Sequence, residues 1–473
     1  MIELVGRLKE QRILHELMQS DKSEFVAVYG RRRVGKTFLI RRNFGKQFFF
    51  QITGIANATT KQQLNNFHLA LRESAKNRVV PPVSDWLQAF RQLALLIEKS
   101  KLKRKVLFID ELPWFDTPKS GFVQALEYFW NSFASARNDV VLIACGSAAS
   151  WMLNKLINSK GGLHNRVTRR INLKPFTLNE CQRFTMKRKI KLDRYQLSRL
   201  YMAFGGIPFY WEQLKAGLSA DQNIQEICFS EEGLLQNEFQ NLFSSLFKNH
   251  QKHELIVNAL AAKAKGTTRS ELIKKTALPD AGSTTRVLEE LELSGFIRKY
   301  VPYNRKERES LYQLTDFYTL FYLRFIQKQK GFSKNYWINS FNSASQRAWS
   351  GYAFELLCLI HTDQIKEALG ISGIETAVYS WRSTKKEQAT QIDLLIDRKD
   401  MVINICEIKF ANMEFTITKS YAQQLRKKIA IFQLESKTRK NVNLVMITTF
   451  GLSKNEYATG LVQNELSLED LFT

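Results

Sequence analysis

The sequence predicts a multidomain α/β protein, and three observations carry that reading. At 473 residues the chain is too long for one core and suits about three domains. Near its start, a short apolar run rich in strand formers (25–29) leads through a glycine-bounded loop into an apolar helical stretch from Phe38. Near its end, two apolar runs (390–396 and 402–410) flank a polar turn and carry acidic residues at a spacing that suits a hairpin.

Composition narrows the function classes. Hydrophobic residues make up 44%, enough for packed globular domains. No apolar run approaches the roughly 18 residues of a membrane span. The first residues, Met1-Ile2-Glu3-Leu4-Val5-Gly6-Arg7, lack the apolar core of a signal peptide, so a cytoplasmic location is expected. The five cysteines are scattered and are expected as buried, reduced thiols. His250 and His253 stand three apart with no cysteine cluster, so no zinc site is expected there. The 70 basic residues exceed the 45 acidic ones by 25, which suits a polyanion such as DNA. Residues 331–473 hold 17 Lys and Arg against 15 Asp and Glu, so an excess of 23 falls on residues 1–330.

The run 25–29 is followed by Gly30-Arg31-Arg32-Arg33-Val34-Gly35-Lys36-Thr37, the Gly-x4-Gly-Lys-Thr pattern in its strand–loop–helix context. Glycines let the backbone curl so that its N–H groups face phosphate oxygens, and the helix N-terminus adds positive potential. Lys36 then reaches the β- and γ-phosphates of ATP, and the Thr37 hydroxyl ligates Mg²⁺. A second strand, Lys105-Val106-Leu107-Phe108-Ile109, ends in Asp110-Glu111. Asp110 is expected in the Mg²⁺ shell, and Glu111 as the group that orients or deprotonates water. A third strand, 140–145, ends in Gly146-Ser147, and Ser147 is the candidate γ-phosphate sensor.

These motifs, with Leu4-Val5-Gly6-Arg7, Glu10, Gly162-Leu163-His164-Asn165-Arg166, Leu173-Lys174-Pro175-Phe176, Glu180 and Gly205-Gly206-Ile207-Pro208, resemble the archaeal-type ATPases of the AAA+/STAND group. The resemblance implies a P-loop NTPase α/β/α sandwich over 1–175 and a helical lid or connector over 176–245. It places an arginine finger at Arg166, with Arg169 and Arg170 as rivals, and so a homo-oligomer. The Gly-Gly-Ile-Pro turn is expected in the lid near the nucleotide.

Over 246–330 the pattern reads as three helices (253–264, 270–275 and one capped by Gly282-Ser283), then strands 296–301 and 311–314 around a polar loop. Three helices and a hairpin make a winged helix. DNA contacts are expected from Arg286 near the third helix's start and from Arg305, Lys306 and Arg308 in the loop. Glu289, Glu290 and Glu292 argue against groove contact, because acids repel a phosphate backbone.

Residues 331–473 carry Asp393-x13-Glu407-x-Lys409. Residues two apart on a strand share a face, so Glu407 and Lys409 point one way. A hairpin centred near Lys399 and Asp400 sets Asp393 roughly opposite Glu407. Two carboxylates that close repel unless a cation lies between them, and Mg²⁺ accepts such a pair. The pattern resembles the PD-(D/E)xK nuclease core of restriction-endonuclease-like folds. By that resemblance Asp393 and Glu407 bind Mg²⁺ (or Mn²⁺), Lys409 positions water or stabilises the transition state, and Glu355, expected near a helix start, completes the set. Gln391 stands where that family often has proline. Tyr421, Gln424 and Arg426 lie on a following helix that can flank the scissile phosphate.

Together these features suggest an ATP-binding and hydrolysing protein that regulates a Mg²⁺-dependent DNA nuclease in the same chain, in defence or mobile-element biology. The competing readings are an ATP-switched DNA- or protein-binding regulator with a silent nuclease fold, and a DNA motor that uses that fold as a clamp.

Overall fold

The computed structural model describes residues 4–76, 79–158, 161, 163, 165–247, 249–263, 265–329, 335–383 and 390–473. Gly162 and His164 before Arg166, Ala264 at an expected helix end, and the expected domain start at 331 lie outside the described residues. The chain divides into two compact units, Met1–Pro175 and Phe176–Thr473. No helix of the described residues is long and apolar enough to cross a membrane.

Among the described residues, the first unit holds a five-stranded parallel sheet. Its strands are β1 (Glu24–Tyr29), β2 (Phe48–Thr53), β3 (Lys105–Asp110), β4 (Val140–Gly146) and β5 (Arg169–Asn172). Their order is β2-β3-β4-β1-β5. Every residue of β3 and β4 is buried, which is why these runs read as nearly unbroken apolar stretches rather than alternating ones. All strands point the same way, so the loops after β1, β3 and β4 gather at one sheet edge, where open α/β sheets take ligands. Aromatic packing builds the core beside the sheet: Trp86 meets Phe122 at 4.8 Å and Phe115 at 5.7 Å, both edge-on.

The second unit opens with helices Leu178–Lys187, Arg194–Phe204, Ala220–Phe229 and Glu238–Leu246. Gly206 lies against the chain's own backbone: a Cβ there would stand 2.0 Å from the Phe176 carbonyl oxygen. The Phe176 N–H donates to the Gly206 carbonyl at 2.6 Å, so close packing accounts for this glycine without a nucleotide.

Next come helix His250–Ala261, β6 (Thr267–Thr268), helices Arg269–Thr276 and Gly282–Leu293, β7 (Ile297–Tyr300) and β8 (Leu311–Leu314). The strands form an antiparallel sheet in the order β6-β8-β7. Three details differ from the sequence reading. The first helix starts at His250, not His253, and His253 bonds Glu290 at 2.9 Å across to the third helix. Ala281, rather than Gly282-Ser283, is the cap of that third helix. The strand β6 is too short to show any periodicity.

The last part runs through helix Ala344–Ile360, β9 (Thr376–Arg382), β10 (Gln391–Arg398), β11 (Val402–Lys409), helix Lys419–Ser436, β12 (Asn441–Thr448) and β13 (Asn464–Leu466). The sheet order is β13-β12-β11-β10-β9. Strands β9, β10 and β11 run antiparallel as a meander, whereas β12 joins β11 in parallel. A parallel pair needs a crossover, and helix Lys419–Ser436 supplies it. Ile392, Leu395, Ile403 and Ile405 pack with Leu425 and Phe432 of that helix in one buried cluster.

Candidate functional site

In the first unit, the loop after β1 takes left-handed backbone at Gly30 (φ 145°), Arg33 (φ 69°) and Gly35 (φ 91°). At Gly30 a Cβ would stand 2.3 Å from the Leu173 carbonyl oxygen, so only glycine fits that approach. Arg31 and Val34 are buried, whereas Arg32 and Arg33 are half-buried. Helix Lys36–Phe44 begins at the loop's end and turns the free N–H groups of its first turn toward it.

The polar side chains of the sheet edge form two linked chains. Lys36 is 4% exposed, and its Nζ donates to the Gly30 carbonyl at 3.1 Å, the Arg31 carbonyl at 2.9 Å and the Ser147 hydroxyl at 2.9 Å. Ser147 in turn donates from its hydroxyl and its N–H to the Glu111 carboxylate, at 2.7 and 3.1 Å. Thr37 donates to Asp110 at 2.9 Å, and Asp110 accepts the Glu111 N–H at 3.1 Å. Glu111 leaves β3 at φ 47°, which turns its side chain away from the strand's own line. Thus loops after three strands bring Lys36, Thr37, Asp110, Glu111 and Ser147 together. The set fits a nucleotide with a divalent cation: the loop supplies a backbone cradle and a buried ammonium, and Thr37 and Asp110 supply hard oxygen donors. Arg166 is exposed in a turn before β5 and belongs to neither chain, and Arg169 and Arg170 are exposed on β5.

In the second unit, β10 pairs with β11 so that Leu394 faces Cys406 and Asp397 faces Ile403. One step further along, this register sets Asp393 across from Glu407. Between Ile392 and Leu395 the pairing with β9 shifts by one residue, a bulge across Asp393 and Leu394 that no sequence pattern announces. Bulges re-aim side chains and recur beside functional sites. Glu355 lies well inside helix Ala344–Ile360 rather than near its start. Burial, and then the Asp393 charge, push its carboxyl up to about 7. Burial also raises Glu407, but Lys428, Lys409 and Tyr421 outweigh it and hold that carboxyl below its ordinary value.

Lysines occupy these carboxylates. Lys265, from the turn before β6, places Nζ 3.1 Å from Asp393 and 3.9 Å from Glu355. Glu407 accepts Lys428 at 2.6 Å, Lys409 at 3.1 Å and the Tyr421 hydroxyl at 2.6 Å. Gln391 donates to Asp393. Gln424 and Arg426 are exposed. The metal set expected from sequence is therefore split: among the described residues, no three His, Cys, Asp or Glu side chains stand close enough to hold a metal ion. The physical reason is charge balance, since each carboxylate has drawn in an ammonium. Glu355 and Asp393 share a cation already, the Lys265 ammonium. Sequence reasoning missed Lys265 and Lys428. Lys428 had a signal, since it follows Tyr421 by seven residues, two helical turns, and so shares its face. Lys265 had none.

Of the expected nucleic-acid contacts, Arg286 pairs with Glu290 at 3.0 Å and Arg305 with Glu309 at 3.2 Å. Lys306 and Arg308 are exposed. The acids of the third helix are partly spoken for: Glu290 also meets His253 at 2.9 Å, and Glu292 accepts the Lys299 N–H at 3.1 Å.

Residues 4–214 match the model of a family described as an ATPase domain predominantly from Archaea. An uncharacterized protein of Methanocaldococcus jannaschii is 24% identical over 333 residues, which cover 68% of this chain and 68% of the relative. A Walker-type ATPase of Pyrococcus abyssi shares the fold at TM-score 0.50 with 17% identity, over 68% of this chain and 96% of its own. The ORC2 protein of Aeropyrum pernix, solved as ADPNP–ADP complexes, aligns at TM-score 0.39 and 14% identity, over 69% of this chain and 95% of its own.

Proposed function

We propose that this chain binds and hydrolyses ATP and uses it to regulate a Mg²⁺-dependent DNA nuclease of its own. The observation that carries the nuclease half is the β10–β11 register, which sets Asp393 across from Glu407, with Lys265 joining Asp393 to Glu355 and Lys409 meeting Glu407. We read residues 246–330 as a winged helix from three helices and the β6-β8-β7 sheet, 331–473 as a PD-(D/E)xK domain from the β10–β11 register, and the helices over 176–245 as lid.

At the first site, the loop backbone and Lys36 hold the nucleotide's phosphates, and Thr37 and Asp110 take the Mg²⁺. Glu111 is the base that receives a proton from water at its carboxylate, and Ser147 holds that carboxylate in place. Arg166, exposed and outside the polar chains, serves a neighbouring copy as an arginine finger. Hydrolysis per subunit therefore rises with protein concentration, and Arg166→Ala flattens the rise; a concentration-independent rate unchanged by Arg166→Ala rejects the assignment.

At the second site, Asp393 and Glu407 would hold Mg²⁺ or Mn²⁺ once their lysine partners are displaced, with Glu355 completing the set, and the ion would supply Lewis-acid charge and a water of lowered pKa. Lys409 orients the attacking water and balances charge on the phosphate. Tyr421 and Lys428 keep Glu407 ionised and aimed. Removing the competing ammonium strengthens metal binding: Lys265→Ala is expected to bind Mn²⁺ about tenfold more tightly, as an opposite charge at this range shifts such equilibria by one to three pKa units. Calorimetric titration checks this, and an unchanged or weaker affinity rejects Lys265 as the competitor.

The same lysines favour a second reading, an ATP-switched DNA- or protein-binding regulator whose nuclease fold is silent. Plasmid incubated with Mg²⁺ or Mn²⁺, with and without ATP, separates the two. Nicking supports the nuclease, and intact plasmid under every condition supports the regulator.

A further inference from the structure

A cavity of about 430 Å³ opens between the β6–β8 sheet and the β9–β10 edge of the C-terminal sheet. Asp393 and Glu355 stand in its wall. We propose that this cavity seats one unpaired nucleotide of a nucleic-acid strand, with its phosphate on Arg298, Arg308 and Arg382. The proposal rests on the nuclease reading only for where cutting occurs.

The lining has two characters. Lys265, Arg298, Arg305, Arg308 and Arg382 face the acids Glu309, Glu355 and Asp393, which already pair Lys265 and Arg305. Leu311, Leu356, Leu359 and Trp381 contribute an apolar wall. A nucleotide has the same division, a flat base that stacks on apolar and aromatic surface and a phosphate that takes guanidinium groups.

Arg298 gives the most specific sign. Its Nε donates to Gln313 at 2.8 Å, and its guanidinium lies 4.2 Å over the Tyr300 ring. Its titratable neighbours are Tyr300 and Tyr352 rather than carboxylates, and burial pulls its pKa below the ordinary value. A sheltered guanidinium without an acid is costly unless an anion comes to it. Arg308 and Arg382 are exposed at the same cavity, and Arg382, which donates to Gln391 at 3.1 Å, can exchange that neutral partner for a phosphate.

Size sets the substrate class. The volume falls among pockets that hold one small ligand, about 300 to 1,000 Å³, and leaves no room for stacked base pairs. A nucleotide must leave a duplex to enter, as it does wherever chemistry is done in an enclosed pocket. A single strand enters without that cost. Of the basic loop, Arg305 and Arg308 line the cavity, whereas Lys306 does not, which separates specific seating from general surface charge.

The test is fluorescence anisotropy on the full-length chain in EDTA, so that nothing is cut. The probes are a labelled oligothymidylate and a blunt duplex of equal length. The single strand is expected to bind at least about tenfold more tightly than the duplex. Arg308→Ala and Arg382→Ala are each expected to weaken single-strand binding about tenfold, and Lys306→Ala less than about twofold. Equal affinity for duplex and single strand overturns the proposal, as does a Lys306→Ala loss matching that of Arg308→Ala. Displacement of the strand by equimolar thymidine monophosphate assigns the cavity to a free nucleotide and also overturns it. Because the readout is binding, a chain that binds single strands as described but cuts none refutes the nuclease reading and leaves the cavity assignment standing.

Discussion

Replacing Asp393 by alanine is expected to lower Mg²⁺-dependent cleavage about a thousandfold or more while leaving ATP hydrolysis at the wild-type rate. Asp393 shares a cation with Glu355 and faces the Glu407 strand position, so its loss removes the carboxylate common to both halves of the proposed site. Lys409→Ala is expected to act in the same direction through charge on the phosphate, by about a hundredfold or more, as loss of one transition-state partner does elsewhere. Neither change should unfold the chain, since both side chains are only part-buried. Gel cleavage and phosphate release measured on the same preparation check this. Asp393→Ala that cuts as well as the wild type removes the site.

Lys36→Ala carries the second large effect, loss of ATP hydrolysis to background and of most nucleotide affinity. The side chain is buried and satisfied entirely by the loop's own carbonyls and Ser147. It can move onto phosphate oxygens without breaking any ion pair, because among the described residues none holds it. Its removal also orphans two loop carbonyls, so the cradle itself loosens. Glu111→Gln makes the contrast: nucleotide affinity is kept and turnover is lost, because the amide binds Ser147 but takes no proton. Comparable hydrolysis by Lys36→Ala and wild type contradicts the first site.

The parts legible in the sequence were those set by local rules. The loop 30–37 is readable because left-handed backbone at Gly30 and Gly35 demands glycine, and because β1 and the following helix flank it. Asp393 and Glu407 are readable because a tight turn fixes hairpin register, and Leu394 opposite Cys406 continues it. What escaped depends on tertiary contact. Lys265 meets Asp393 across 128 positions of sequence, a contact no spacing rule contains. The bulge across Asp393 and Leu394 depends on β9, whose pairing with β10 is not encoded by the hairpin turn. Glu355 was found by type and rough position, but its helix starts at Ala344, where Ser343 caps it. The acids Glu290 and Glu292 looked hostile to DNA because their partners, His253 and the Lys299 N–H, were not visible in sequence.

The central claim, an ATPase controlling a nuclease within one chain, is tested most directly by one cleavage assay. Wild type, Lys36→Ala and Lys409→Ala are compared on the same single-stranded substrate with Mg²⁺, with and without ATP. The predicted result is ATP-responsive cutting by wild type, cutting by Lys36→Ala that ignores ATP, and no cutting by Lys409→Ala despite wild-type ATP turnover. Cutting by Lys36→Ala that responds to ATP as the wild type does, or undiminished cutting by Lys409→Ala, contradicts it.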